Sequence, residues 1–293
     1  MKRFLCVIFV MLFLCGCTAT PDKKSGKIKV VTTIFPIYDF VRAVGGERVD
    51  IKLLIRPGTE VHSYDPVPSD IKAVYDSDLF IYIGGESDKW VDKMLSDVKI
   101  NSCAMMDYTD NLTEDGEDEY DEHIWTSPDN AVKMIEKITE KLSEADPQNS
   151  KAYKANANGY IAEINKVSKE TEKVISECEK PFILVADRFP FKYFATRYGI
   201  EYEAASGGCA VSSDISLKVM KRLINEVEKR NLKYAFYTEM SNKSVANALN
   251  EQTGVKLLEL NSAHNVTLDE FNNKITYVDI MKNNLDALKE ALQ

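Results

Sequence analysis

The chain has little histidine, none of the common catalytic signatures, and no long apolar run beyond its start. Among 293 residues only His62, His123 and His264 occur, against 46 acidic and 37 basic side chains. The glycine pairs Gly45-Gly46, Gly84-Gly85 and Gly207-Gly208 each stand alone, so neither GxxxxGK(S/T) nor GxGxxG is present to cradle phosphates. HExxH and GxSxG are missing too. Cys209 and His264 have no neighbours that would support a nucleophile pair. The net charge of -9 opposes a grip on nucleic acid through neutralised phosphates and leaves cations as the better-matched partner. A composition of 44% hydrophobic and 28% charged residues excludes a disordered tail and provides for a sizeable core.

What is present begins with Met1-Lys2-Arg3 and an uncharged run from Phe4 to Gly16, too short to span about 30 Å of hydrocarbon. It reads as a signal segment, residues 1–16. Its end, Leu14-Cys15-Gly16-Cys17, resembles the lipobox of bacterial lipoproteins, which implies a lipid on Cys17; a secretory cut near Ala19 is the alternative. Residues 17–27 are small, polar and basic, as suits a tether. Cys103, Cys178 and Cys209 then remain, an odd number that gives no disulfide framework. A Cys178–Cys209 bridge and buried thiols both stay open.

From Lys27 onward, short β-rich runs alternate with helix-like stretches. Strands are predicted at 28–34, 49–55 and 79–85, with helices at 36–46, 69–77 and 87–98 between and after them. Helices follow at 131–145 and, nearly unbroken, at 149–179, where Tyr153, Tyr160, Ile164, Val167, Thr171 and Val174 form one stripe. The rhythm resumes with strands at 181–186, 200–205, 233–239 and 255–260, and with helices at 191–199, 216–231, 244–254 and 274–291. This pattern predicts an α/β protein of two lobes, each a parallel sheet covered by helices, joined by one long rigid helix with a site in the cleft. The divisions are residues 28–127 for the first lobe, 128–180 for the linking helices and 181–293 for the second.

The histidines fall in loops: GTEVHSYDPVPSD (58–70), YDEHIWTSPDN (120–130) and LNSAHNVTLDEF (260–271). Ligands in such sheets bind beyond the carboxyl ends of strands, and neutral imidazole is a common metal ligand whose second nitrogen needs an acceptor. A shared metal site is therefore expected, with Glu60, Asp65, Asp121 and Glu122 as supporting acceptors.

At these residues the chain resembles the metal-binding lipoproteins of ATP-binding-cassette importers, the zinc and manganese solute-binding family called cluster A-I. GTEVHSYDPVPSDIKAVYDSDLFIYIGG is similar to that family's first ligand motif and DEHIWTSPDNA to its second. RFPFKYFATRYGI and FYTEMSNKSVANALNEQTGVKLLELNSAH resemble the segments around its third and fourth, so the resemblance covers essentially residues 28–293. Two positions depart from it. The third ligand position, usually His or Glu, falls on Arg188, and the final aspartate position falls on His264. The resemblance thus implies His62, His123, His264 and one oxygen ligand. Asp187 comes first for that oxygen and Glu239 second, with Glu60 as a further metal or supporting group; Arg188 could instead pair with an acidic neighbour, and Glu239 could be a buried hydrogen-bonding group.

Three imidazoles and one carboxylate favour Zn2+ over Mn2+. The implied function is a monomeric, lipid-anchored extracytoplasmic receptor, not an enzyme, that hands the ion to an importer's permease subunit. A manganese-specific protein of the same family, an adhesin on the same fold and a metal-dependent hydrolase are the alternatives. Residues 107–122 hold nine carboxylates and no basic residue, which suits either a cation entrance or a solvated insertion.

Overall fold

The computed structural model describes residues 26–96, 98–110, 112–113, 120–207 and 216–293. The signal segment 1–16, Cys17, most of the tether, Cys209 and the centre of the acidic segment 107–122 lie outside these residues. The described chain is built from two parallel four-stranded sheets. The first takes β1 (Ile28–Thr32), α1 (Phe35–Gly45), β2 (Val49–Leu53), α2 (Pro68–Tyr75), β3 (Leu79–Tyr82), α3 (Lys89–Leu95) and β4 (Ser102–Ala104), with strand order β2-β1-β3-β4. Then come α4 (Pro128–Ala145) and α5 (Ser150–Ser176). The second sheet takes β5 (Phe182–Arg188), α6 (Lys192–Tyr198), β6 (Glu201–Ser206), α7 (Leu217–Arg230), β7 (Tyr234–Tyr237), α8 (Ser244–Thr253) and β8 (Lys256–Glu259). Its order, β6-β5-β7-β8, repeats that of the first. Helices α9 (Leu268–Asn272) and α10 (Tyr277–Leu292) close the chain.

Parallel strands bury both faces, so their side chains alternate between two cores. Val30 enters the large core under α1, α4 and α5, whereas its neighbour Val31 packs on the opposite face with Leu54, Phe80 and Val91. Ile183 and Val185 likewise face one way and Leu184 and Ala186 the other. Prolines open α1, α2 and α4 where a missing N–H costs nothing. Thr267 with Glu270 and Thr276 with Asp279 form capping boxes at α9 and α10. The predicted rhythm matches these elements closely. Strand β4 was not foreseen because three residues carry no readable alternation.

Helix α5, with 27 residues, is about 40 Å long. Helix α10 lies along it and joins the halves: Tyr277, Val278 and Ile280 enter the first core, and Leu288 the second. The buried Asp39 of α1 fastens this junction, accepting from the Tyr277 N–H at 2.7 Å and from Tyr160 Oη of α5. Among the described residues no helix is long and apolar enough to cross a membrane. Cys178 carries a free thiol, as does the buried Cys103.

Phe40, fully buried, packs edge-on against Tyr277 at 5.0 Å and Tyr160 at 6.4 Å, so one ring supports α1, α5 and α10. Phe40→Ala is expected to cost about 3–5 kcal/mol. Urea denaturation would read this as a lower midpoint at unchanged slope.

Candidate metal centre

Each histidine sits on a loop beyond the carboxyl end of a strand. After β2 the chain keeps step with β1 for two more residues, through Leu54 N–H to Thr32 O at 2.9 Å and Ile55 N–H to Thr33 O at 3.1 Å. It then turns across to the other half. The Gly58 N–H donates to Val266 O at 2.8 Å, and Asn265 Nδ2 donates to Arg56 O at 3.0 Å and Thr59 O at 2.8 Å. The loop of His62 and the loop of His264 are thereby bound to each other.

The loop of His264 is also fixed from below. Asn284 of α10 accepts from the Asn261 N–H at 2.8 Å and donates to Asn261 O at 2.7 Å. Glu239, just beyond β7, accepts from the Ser262 N–H at 2.7 Å, from Ser262 Oγ, and from the His264 N–H at 3.2 Å. Trp125 Nε1 donates to Ser262 O at 2.7 Å. Between these anchors the buried Ala263 adopts φ 62°, a left-handed conformation that costs a non-glycine residue about 1–2 kcal/mol and persists because its surroundings leave no alternative.

His123 follows Asp121 and Glu122 on the approach to α4. Asp121 Oδ1 accepts from the His123 N–H at 2.8 Å and lies 2.9 Å from its Nδ1. A carboxylate only accepts, so Nδ1 carries the proton and Nε2 presents a bare lone pair. That Nε2 is buried and has no hydrogen-bond partner. An orphaned acceptor of this kind, in a fully buried imidazole, marks a position for a cation.

The structure brings all three rings together. One nitrogen from each of His62, His123 and His264 lies within 4.8 Å of the other two, the only such grouping among the described residues. The ring centroids are 6.0 Å apart for His62–His123, 5.1 Å for His62–His264 and 5.0 Å for His123–His264. Glu122 supports His62 as Asp121 supports His123: it accepts from Ser87 N–H at 2.9 Å and Ser87 Oγ at 2.5 Å, and that hydroxyl lies 3.3 Å from His62 Nδ1. Gly85 makes this approach feasible, since a Cβ there would sit 2.4 Å from Glu122 Cβ. Desolvation, then repulsion from His123, His62 and Arg188, holds His264 well below the usual imidazole range. His62 is lowered mainly by desolvation, against the pull of Glu122. Both stay neutral, the form that binds a metal.

A small cavity opens over the cluster, and Glu60, Arg188 and Glu239 line it with the three histidines. Asp187 is not brought to the group: it does not line the cavity, its Oδ1 accepts from the Arg188 N–H at 2.9 Å, and its buried Oδ2 has no partner. Asp65 is exposed and away from the cavity. Glu60 pairs with Arg188, and although desolvation raises its pKa, the guanidinium's hydrogen bonds and charge hold it below the usual carboxylate range. Sequence reasoning passed over Ser87, Asn261, Asn265, Asn284 and Trp125. Of these, Asn261, Asn265 and Trp125 lie within the histidine motifs, whereas nothing in the sequence singled out Ser87 or Asn284.

Comparison with known proteins accords with this geometry. The family model described as ZnuA, zinc-uptake complex component A, periplasmic, matches residues 30–291. The chain belongs to the ZnuA family. It is 29% identical over 303 residues to the high-affinity zinc uptake system protein ZnuA of Bacillus subtilis, covering 97% of this chain and 94% of that one. Similarity to the zinc-binding lipoprotein AdcA of Streptococcus pneumoniae is 28% identity over 297 residues; the alignment covers 96% of this chain but only 58% of the length of AdcA. Among solved structures, the metal-dependent lipoprotein YcdH of Bacillus subtilis superposes with a TM-score of 0.82 at 29% identity, over 91% of this chain and 100% of that one. Zn(II)-bound AdcA superposes with a TM-score of 0.80 at 29% identity, covering 91% of this chain and 58% of that one.

Two measurements probe the centre. Asp121→Ala is expected to lower zinc affinity by about 10–100-fold in a competition titration, because His123 loses the group that fixes its ring and proton. The second is linkage. His62 and His264 refuse protons in the folded state that the unfolded chain accepts just below the ordinary value of 6.5, so stability is lost as the pH falls below that value. His264→Gln should flatten the fall in urea midpoint between about pH 7 and about pH 5.

Proposed function

We propose that this chain captures zinc outside the cytoplasm and delivers it to the permease subunit of an ATP-binding-cassette importer. The observation that carries this reading is the convergence of three imidazoles, with the Nε2 of His123 buried and unpartnered among them. His62, His123 and His264 hold the ion. The fourth donor is a water or a carboxylate that moves on binding, Asp187 first among them. Three nitrogen donors suit zinc, whereas manganese favours oxygen-rich shells. The resemblance of Leu14-Cys15-Gly16-Cys17 to a lipobox supports a lipid anchor on Cys17. The protein acts as a monomer at the membrane surface.

The residues have separable duties. Asp121 and Glu122 orient two rings, and Glu239 and Asn284 hold the loop of the third. Helix α5, bound along its length by α10, resists bending of one half on the other, so release proceeds through movement of the histidine loops or docking to the permease. The role is carriage. Three imidazoles with an open fourth position also occur in catalytic zinc sites, so turnover of ester or peptide substrates by the zinc-loaded protein would overturn carriage, and none is expected.

The deciding experiment is metal analysis of protein purified without chelator, followed by zinc titration of His62→Ala, His123→Ala and His264→Ala. Zinc should exceed manganese, and each variant should lose more affinity than the about 10–100-fold that loss of a supporting partner costs. Full affinity in any one of them would remove the shared site.

A further inference from the structure

We propose that Arg188 sets the metal preference of the site by withholding Glu60 from the ion, so that the donor set stays rich in nitrogen. The inference rests on the reading that the three histidines hold a divalent ion.

The geometry is a fork-to-fork pair. Arg188 Nη1 donates to Glu60 Oε1 at 3.2 Å and Nη2 donates to Glu60 Oε2 at 2.9 Å, so both carboxylate oxygens are occupied by one guanidinium. Both residues line the cavity that holds the histidines. Glu60 is carried by the loop after β2 and Arg188 by the end of β5, so the pair spans the two halves of the molecule. It forms the outer part of the cavity. The side chains of Arg188 and Glu60 are 20% and 38% exposed, against 7% for the side chain of His62.

Glu60 is the carboxylate of the cavity with the shortest tether to the cluster. It stands two residues before His62, whose N–H leans on its Oε1 at 3.4 Å. Glu239, the other carboxylate lining the cavity, is committed to Ser262 and to the His264 N–H. An arginine stays charged at every accessible pH, so its hold on Glu60 does not relax by titration. Without that hold, a hard oxygen donor would stand free beside three imidazoles. Manganese gains more than zinc from such a donor, because it favours oxygen and higher coordination while zinc is satisfied by nitrogen.

Removing Arg188 also removes a positive charge from the cavity, which strengthens the binding of every cation alike. The ratio of manganese to zinc dissociation constants cancels that effect and is the quantity to measure. The experiment is a competition titration of the full chain with Zn2+ and Mn2+ in the wild type, Arg188→Ala and the double variant Arg188→Ala/Glu60→Gln. Arg188→Gln is carried in parallel as a milder variant, and circular dichroism confirms folding.

Arg188→Ala is expected to lower the ratio by about tenfold or more, on the scale of effects exerted by groups outside the ligand set. The double variant is expected to restore the wild-type ratio. An unchanged ratio in both Arg188→Ala and Arg188→Gln would overturn the proposal. So would a double variant that stays at the lowered ratio, which would assign the oxygen donor to Asp187 or Glu239. Failure of the wild type to bind either metal is a separate result and would sink the three-histidine reading itself.

Discussion

The centre depends on one constraint: two loops from opposite halves of the chain are hydrogen-bonded to each other. Asn265 uses one amide group to hold Arg56 O and Thr59 O, and Gly58 donates to Val266 O. These bonds span more than 200 positions of sequence and set His62 and His264 edge to face. Without them, each loop would be an exposed segment free to sample many conformations, and the ordering of both would have to be met when the ligand binds. The strained backbone at Ala263 belongs to the same arrangement, held by neighbours that fix Ser262 and Asn261 on one side and Asn265 on the other.

Electrostatics follows from that enclosure. Three imidazoles in one desolvated space cannot all carry protons, because burial and mutual repulsion both favour the neutral form. The consecutive acids Asp121 and Glu122 then divide the work, one holding the ring of His123 directly and the other reaching His62 through Ser87. Two neighbours in sequence thus support two different rings.

Much of the fold was legible in the sequence because parallel strands buried on both faces read as short runs of Val, Ile, Leu and Phe, with glycine or proline between them. The histidines were legible because each fell in a loop that follows a predicted strand or precedes a predicted helix and none was left over. Other parts were not. Strand β4 has three residues and joins an edge, so its pairing with β3 is set by tertiary contact alone. Asn284 lies on the buried face of an amphipathic helix and acts on Asn261 across 23 positions, a relation that no local pattern encodes. The fourth donor was the least legible. Asp187 and Arg188 are neighbours on one strand, and a register argument could name the position but not which of the two side chains would enter the cavity.

Trp125 gives the site a property of another kind. Its indole lies 5.3 Å from the ring of His123 and 4.8 Å from that of His264, and its Nε1 is pinned to Ser262 O. The chain has one other tryptophan, Trp90, which sits apart among Tyr64 and Phe80. The protein thus carries a native optical probe of its own centre. An indole that cannot rotate, placed beside a point where charge arrives and departs, converts occupancy into a change of emission without any added label.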